Sequence, residues 1–166
     1  MDPFLFTPII IILLCILGLS WFAGSDAPFV VTKMDHITSV LKKAGVKKGK
    51  TFYELGSGDG RVVLEAAKTG AISFGIEQSW LRVLFSRYLA KKLKLNNAYF
   101  LHGNIFKKSY KKADIVYIYL LRPAVAKLET KLQNELKEGS TVITQTYHFP
   151  NWKPFIKIGN FWIYCK

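Results

Sequence analysis

The hydrophobic positions follow two different periods along the chain. Short apolar runs rich in β-branched and aromatic residues recur at 51–55, 71–77, 98–101, 114–119 and 140–145, as is typical of buried strands. Between several of them, apolar residues recur at spacings of three and four, as on one face of a helix. These helical segments lie near residues 34–44, 62–67, 80–93 and 123–136. Strands that alternate with helices predict a parallel sheet covered by helices.

The end of the chain has a different pattern. Two apolar runs, 155–158 and 161–164, are separated by Gly159 and Asn160, which is typical of an antiparallel hairpin. No helical segment separates the fifth strand from this hairpin. The predicted fold is therefore an α/β fold, with a mostly parallel sheet, an antiparallel terminal hairpin and one helix fewer than regular alternation would give.

The helix near residues 80–93 is expected to be amphipathic. Its aliphatic and aromatic residues are expected to face the core, and its basic residues to face solvent. The inward set is Leu81, Leu84, Phe85, Tyr88 and Leu89, and the outward set includes Arg82 and Arg87.

Residues 3–25 carry no charge. As a helix rising ~1.5 Å per residue, this stretch would be about 34 Å long, enough to cross a hydrocarbon layer ~30 Å thick. We therefore expect a single-pass membrane anchor over residues 1–25 and one compact domain over residues 26–166. A cleaved signal peptide is the alternative, but Asp2 stands where a signal peptide carries positive charge. Lysines follow the stretch and none precedes it, which predicts the domain on the cytoplasmic, or equivalent positive-inside, face.

The composition is strongly basic. There are 24 Lys and Arg against 11 Asp and Glu, for a formal net charge of +13. Such a charge favours an acidic protein, a lipid surface or nucleic acid as partner, and sign alone does not choose among them. Cys15 and Cys165 stand far apart in the sequence, so neither a disulfide framework nor a metal site is expected.

The stretch 53–61 carries the strongest chemical signal. It reads Tyr-Glu-Leu-Gly-Ser-Gly-Asp-Gly-Arg, with Glu54 near the end of a predicted strand and Gly56, Gly58 and Gly60 before a helix. Glycines in this position let a ligand approach the backbone closely. A dinucleotide-binding motif needs its third glycine three residues after Gly58, where this chain has an arginine. The alternative is a tight turn that binds nothing.

Further polar residues follow the ends of later strands. Glu77 ends the second strand about 20 residues beyond the first glycine, where a carboxylate can accept both hydroxyls of a ribose; the alternative is a solvated loop glutamate. Asn104 follows the third strand and is placed to present its amide to an adenine, with Ile105 or Phe106 against the ring. Thr32 precedes the first helix of the domain and is expected to cap that helix, to contact a bound cofactor, or to do both.

These motifs resemble class I S-adenosylmethionine-dependent methyltransferases, whose motif I is similar to residues 53–61. With the segments 103–106, 120–139 and 152–154, the chain resembles the small archaeal protein-lysine methyltransferases. It is also similar to the mitochondrial lysine methyltransferases of the ATP synthase c subunit and the adenine nucleotide translocator, especially at residues 77–81 and 86–88. The resemblance covers about residues 28–164. It departs at residues 29–32, which read Phe-Val-Val-Thr where the family has Tyr-Val-Pro-Thr.

The resemblance implies a Rossmann-like class I methyltransferase fold, with S-adenosyl-L-methionine as cofactor and S-adenosyl-L-homocysteine as product. It implies methyl transfer to lysine side chains of proteins, and a membrane protein is one candidate substrate. The residues implied to bind the cofactor are Thr32, Glu54, Gly56, Ser57, Gly58, Asp59, Gly60, Glu77, Gln78, Asn104 and Ile105. We expect the channel for the substrate lysine around Tyr119, Leu120 and Leu121, and no residue is identified as a general base. Tyr117 and Tyr119 have the same strand parity and are expected to share one face of the sheet.

Two other functions stay open. The net charge of +13 also suits an RNA or DNA methyltransferase, although the fourth strand is not followed by an Asn-Pro-Pro-Tyr-like run and there is no catalytic cysteine loop. A membrane-tethered module that binds the cofactor without catalysis is the second alternative. The sequence leaves nucleic acid as a partner and the oligomeric state undecided.

Overall fold

The computed structural model describes residues 3–22 and 30–166 of the chain. Within those residues there are five α-helices, seven β-strands and two short 3-10 turns. The helices are α1 (Pro3–Phe22), α2 (Ile37–Lys43), α3 (Arg61–Lys68), α4 (Trp80–Lys92) and α5 (Arg122–Glu135). The strands are β1 (Thr51–Leu55), β2 (Ile72–Glu77), β3 (Ala98–His102), β4 (Ile115–Ile118), β5 (Thr141–Gln145), β6 (Ile156–Ile158) and β7 (Phe161–Cys165). The 3-10 turns are Met34–His36 and Ile105–Lys107.

All seven strands form one sheet in the order β3-β2-β1-β4-β5-β7-β6. The first five strands run parallel, and β7 pairs antiparallel with both β5 and β6. The predicted mostly parallel sheet with an antiparallel hairpin is therefore confirmed. The strand order reverses between β1 and β4, so the connections that leave these two strands diverge and open a crevice at their carboxyl ends.

Helices cover both faces of the sheet. On one face, Val40 of α2 and Val62 of α3 pack with Phe52, Tyr117 and Ile143 of the strands. On the other face, the apolar stripe of α5 packs against the remaining strand residues. That stripe consists of Val125, Leu128 and Leu132, and its strand partners include Leu55, Ile76, Val116 and Val142. Burial of these apolar side chains is the main stabilising contribution to such a core.

The orientation predicted for α4 is wrong for most of the named residues, although Leu89 packs against the core and Arg87 is exposed, as expected. Leu84, Phe85 and Tyr88 are 44%, 40% and 60% exposed, whereas Arg82, Val83, Ser86 and Ala90 are buried. The helix packs against β3 and β2 at one edge of the sheet, beside Phe100 of β3. Ser86 and Ala90 are small and lie on the inner face, which lets the helix approach β3 closely, while Leu84, Phe85 and Tyr88 face outward. Periodicity locates an apolar face but cannot reveal how narrow the space opposite a helix is.

The connections are shorter than a regular alternation requires. β3 is joined to β4 through the 3-10 turn Ile105–Lys107 alone, and β5 reaches the hairpin without a helix, as expected. The predicted cap at Thr32 is wrong, because the caps of the Met34–His36 turn and of α2 are Lys33 and His36. Neither cap residue makes a side-chain capping bond. Thr32 is instead buried beside the crevice.

The N-terminal segment contains the uncharged helix α1 (Pro3–Phe22), whose described side chains are exposed. A membrane span requires a helix of sufficient length and apolar character, and no helix within residues 3–22 and 30–166 meets that requirement. Residues 1–2 and 23–25 of the predicted anchor, and the departure at Phe29, lie outside the described residues.

Candidate functional site

A cavity of about 250 Å³ lies at the carboxyl ends of β1, β2, β4 and β5. It is lined by thirteen of the residues predicted from sequence: Thr32, Glu54, Gly56, Ser57, Gly58, Asp59, Glu77, Gln78, Ile105, Phe106, Tyr119, Leu120 and Leu121. Gly60 and Asn104 are not among the residues that line it. The cofactor and channel residues predicted from distant parts of the sequence therefore meet in a single space.

The glycine-rich turn is held against β2 by its own backbone. The amides of Gly56 and Ser57 both donate to the carbonyl oxygen of Ile76, at 2.9 and 3.0 Å. Gly56 has φ +80°, a conformation that favours glycine, and a Cβ there would lie 2.8 Å from Leu120 Cδ2. The absence of a side chain at Gly56 therefore leaves space in the cavity beside Leu120.

Glu77 joins the turn to the start of α4. Its Oε2 accepts a hydrogen bond from the Gly58 amide at 2.9 Å, and its Oε1 accepts one from the Ser79 amide at 2.9 Å. Arg82 Nη1 lies 3.5 Å from Oε1. Gly58, Glu77 and Arg82 line the cavity, so the carboxylate is fixed where a ligand's hydroxyl groups can reach its remaining lone pairs.

Glu54 is the second buried carboxyl group of the cavity. Burial raises the pKa of Glu54 well above its ordinary value, while the Val63 amide, which donates to Oε2 at 3.2 Å, lowers it. The negative charges of Asp59 and Glu77 raise this pKa further. A ligand that brings a positive charge next to Glu54 would favour its ionised form, so the site is chemically suited to a cation.

Asp59 and Arg61 connect the turn to the segment that precedes α2. Arg61 Nε donates to both carboxylate oxygens of Asp59 at 3.0 Å, and its Nη1 donates to the carbonyl oxygen of Thr32 at 3.3 Å. Thr32 is thereby held at the rim of the cavity, next to Val31. Arg61 stands where a dinucleotide-binding motif has its third glycine. Here it connects two parts of the cavity wall, Asp59 and Thr32.

Two predicted cofactor residues have other contacts. Asn104 Oδ1 accepts a hydrogen bond from the Phe106 amide at 2.8 Å and so caps the Ile105–Lys107 turn. Gly60, at φ +80°, precedes α3, and a Cβ there would lie 2.5 Å from the Phe100 ring and 2.7 Å from Ser86 Oγ. Both residues shape the backbone around the cavity, and their contact with the cofactor stays a prediction.

The two tyrosines of the fourth strand's end lie on the same side of the sheet, as predicted. Tyr119 lines the cavity. Tyr117 is fully buried and donates a hydrogen bond from its hydroxyl to Gln145 Oε1. Burial raises the pKa of Tyr117 well above its usual range. Tyr117 is therefore a neutral donor beneath the cavity wall, and Tyr119 is the tyrosine that a ligand can reach.

Several lining residues were not predicted from the sequence: Val30, Val31, Arg82, Ala124, Thr146 and Tyr147. Thr146 and Tyr147 follow β5, and the rule that ligands lie beyond the carboxyl ends of parallel strands could have located them. Thr146 has φ +69°, which is unusual for a residue other than glycine. Arg82 carried no such signal, because it was assigned to the solvent face of α4.

The chain is similar in sequence to known lysine methyltransferases. Residues 54–156 match the ANTKMT methyltransferase domain, and residues 20–86 match the histone methylation protein DOT1. The human lysine N-methyltransferase of the ATP synthase c subunit is 33% identical over 128 residues, which are 76% of this chain and 54% of that protein. A protein-lysine N-methyltransferase of Saccharolobus islandicus is 29% identical over 131 residues, 76% of this chain and 81% of that protein.

A solved structure is also closely similar. The RNA methyltransferase of Salinibacter ruber, crystallised with S-adenosyl-L-homocysteine, is 31% identical and superposes with a TM-score of 0.75. The match covers 81% of this chain and 91% of that chain. By contrast, this chain spans about half the length of the human and mouse relatives it matches. Since the family match extends over more than half of the sequence and includes the glycine-rich turn, Glu77 and the channel residues, this chain belongs to the ANTKMT methyltransferase domain family.

Proposed function

We propose that the protein transfers a methyl group from S-adenosyl-L-methionine to lysine side chains of proteins. The observation that carries this proposal is the pair of buried carboxyl groups at one glycine-rich turn: Glu54, which precedes the turn, and Glu77, which accepts a hydrogen bond from the Gly58 amide within it. Glu54 suits a cation, and Glu77 suits paired hydroxyl groups. A nucleoside that carries an amino acid and a sulfonium presents both kinds of group.

The residues present fit this cofactor. Glu54 and the turn 56–60 would hold the methionyl part, and Glu77 the ribose hydroxyls. Ser57 Oγ is buried at the cavity and has no hydrogen-bond partner among the described residues, so it is available to the ligand. Ile105 and Phe106 would pack against the adenine, and Gln78, Asp59 and Thr32 would complete the wall.

The substrate lysine would enter between Tyr119, Leu120, Leu121 and Tyr147, where the lining is largely apolar. A lysine side chain in water has a pKa near ~10.4, so it must lose a proton before its nitrogen can attack the methyl group that the cofactor supplies. An apolar channel disfavours the ammonium form and excludes water, which assists that loss. The chain's residues would then act mainly by aligning the neutral amine.

A methyl-transfer assay tests the proposal directly. The full-length protein is incubated with tritiated S-adenosyl-L-methionine and a membrane lysate, and labelled bands are analysed by mass spectrometry. We expect label on lysine side chains of proteins. Cofactor binding without any transfer would favour the non-catalytic module instead.

RNA methylation is the second candidate. It is favoured by the net charge of +13 and by the name of the Salinibacter ruber protein, which is 31% identical. The same assay separates the two functions if the lysate is treated in parallel with ribonuclease or with protease. Label that survives ribonuclease and is lost with protease supports a protein substrate.

We also propose that residues 1–25 hold the domain at a membrane, with the domain on the positive-inside face. The support is the absence of charge over residues 3–25 and the exposure of the apolar side chains of α1 (Pro3–Phe22). The substrate would then be a protein of, or near, the same membrane. Co-flotation with lipid vesicles is the test: we expect the full chain to float and a chain beginning at residue 30 to stay behind. Equal flotation of the two would contradict the anchor.

A further inference from the structure

Arg82 is buried where an arginine was expected to be solvated. It is the third residue of α4, only 2% of it is exposed, and it lines the cavity. Its Nη1 lies 3.5 Å from Glu77 Oε1. Removing a guanidinium group from water is unfavourable unless a negative charge compensates, and Glu77 supplies that charge at this position.

Three nitrogen groups surround the Glu77 carboxylate, and they act on it in different ways. The Gly58 amide approaches Oε2 and the Ser79 amide approaches Oε1, each at 2.9 Å, and these bonds fix the direction of the carboxylate. Arg82, at 3.5 Å, is beyond the usual length of a hydrogen bond to Oε1 and acts mainly through its charge. Lone pairs on both oxygens therefore stay available to hydroxyl groups of a ligand.

We propose that Arg82 is a positioning residue for the cofactor, which acts by placing a positive charge beside the Glu77 carboxylate and keeping that group directed toward the ribose hydroxyls. The proposal rests on the role of Glu77 in the proposed function. The proposal goes beyond that role, because it attributes part of the affinity for the cofactor to Arg82, a residue of α4. Without Arg82, the Glu77 carboxylate would keep the Gly58 and Ser79 amides as donors among the described residues and would lose the cation at 3.5 Å.

Arg87 offers a matched control on the same helix. It is exposed, and its Nε and Nη2 donate to the carbonyl oxygen of Phe100, at 3.0 and 2.7 Å, at the outer edge of β3. It does not line the cavity. Arg87→Met therefore removes an arginine of the same helix, with its packing and hydrogen bonds, without touching the site.

The experiment is a double-mutant cycle on the full-length protein. The dissociation constant for S-adenosyl-L-homocysteine is measured by calorimetry for Arg82→Met, Glu77→Gln, the double variant, Arg82→Lys and Arg87→Met. We expect Arg82→Met to weaken binding about tenfold or more, and to change it by less than about twofold when Glu77 is already Gln, since residues in contact are coupled. Arg82→Lys should recover part of the loss, and Arg87→Met should bind as the parent does.

Steady-state kinetics add a readout that a merely structural role would not move. Arg82→Met should raise the KM for S-adenosyl-L-methionine and leave kcat at saturating cofactor within about twofold, because uniform binding is lost. Thermal melts show whether each variant is folded, and Arg82→Lys, which keeps the charge, serves where Arg82→Met is unfolded.

Two outcomes would overturn the inference, and they are distinguishable. If Glu77→Gln binds the cofactor product as tightly as the parent, the proposed role of Glu77 fails, and that of Arg82 fails with it. If Glu77→Gln weakens binding but Arg82→Met has the same effect in both backgrounds, Glu77 keeps its role and Arg82 acts independently of it.

Discussion

The backbone amide of Gly58 donates a hydrogen bond to the Glu77 carboxylate across 19 positions of sequence, at 2.9 Å. This bond makes the glycine-rich turn and the end of β2 a single unit. A ligand that binds Glu77 therefore also contacts a turn whose position Glu77 sets. The affinity of the site and the order of the turn should change together.

Glu77→Ala should lower both the affinity for the cofactor product and the order of the glycine-rich turn. Because the Gly58 and Ser79 amides lose their acceptor, we expect S-adenosyl-L-homocysteine to bind at least about 100-fold more weakly, a loss of about 2.7 kcal/mol or more. The Gly58 amide should also exchange its hydrogen faster in the free protein, as measured by hydrogen–deuterium exchange. Glu138→Ala is the control, since the Glu138 side chain is 85% exposed and lies outside the cavity. Unchanged affinity in Glu77→Ala would contradict the assignment of the ribose to this residue.

Glu54 should make the stability of the free protein depend on pH. Burial raises the pKa of Glu54 well above its ordinary value of 4.5. Between that value and the raised one, the folded protein holds a proton that the unfolded chain has released. Its contribution to stability is therefore complete below about pH 4.5 and is lost as the pH rises through the raised pKa.

Glu54→Gln should remove this dependence, since glutamine does not titrate. The measurement is the free energy of unfolding by urea between pH 5 and pH 8, for the parent and for the variant. We expect the difference in stability to shift in favour of the variant as the pH rises. Parallel pH profiles for the two proteins would show that Glu54 is ionised in the folded state throughout.

Tyr119 and Tyr117 should respond differently to loss of their hydroxyl groups. Tyr119 lines the cavity, so Tyr119→Phe is expected to lower kcat about tenfold with little change in stability, if its hydroxyl orients the amine. Tyr117 is fully buried with Gln145, so Tyr117→Phe leaves a buried amide oxygen without its donor. We expect it to cost about 1–3 kcal/mol of stability. Methyl-transfer kinetics and urea unfolding separate the two effects, and a kcat unchanged in Tyr119→Phe would exclude it from orienting the substrate.

The sequence predicted the features of this site that depend on the main chain. Glycines before a helix, and Glu77 at a strand end, follow from the alternation of strands and helices, and the parallel sheet brings them to one edge. Arg82 could not be predicted in the same way. Its burial depends on how α4 packs beside Glu77 at the end of β2, which is a property of tertiary packing and not of helical periodicity.

Thr32 shows a second limit of the same kind. Its residue type suits a helix cap, but Arg61 holds its carbonyl oxygen at the cavity rim, and α2 begins at Ile37 without a side-chain cap. A long-range hydrogen bond has here replaced the local one. The preference of threonine for caps is a local tendency of about 1 kcal/mol, which a packed tertiary contact can exceed.

A side chain at Gly60 should destabilise the protein. Gly139 provides a control that separates steric overlap from backbone strain. Gly60 and Gly139 have nearly the same φ, +80° and +78°. A Cβ at Gly60 would lie 2.5 Å from the Phe100 ring, whereas one at Gly139 meets nothing within 4 Å. Alanine at either position strains the backbone by about 1–2 kcal/mol, but only Gly60→Ala also forces α3 away from Phe100 and Ser86.

We therefore expect Gly139→Ala to cost about 1–2 kcal/mol of unfolding free energy, and Gly60→Ala to cost a further 1–3 kcal/mol or so from overpacking. Urea unfolding followed by tryptophan fluorescence measures both. Gly60→Ala should also weaken cofactor binding, because the helix it displaces carries the Val63 amide that donates to Glu54. Equal losses of stability in the two variants would mean that the packing of Phe100 against the turn contributes nothing, and that left-handed backbone alone requires glycine at this point.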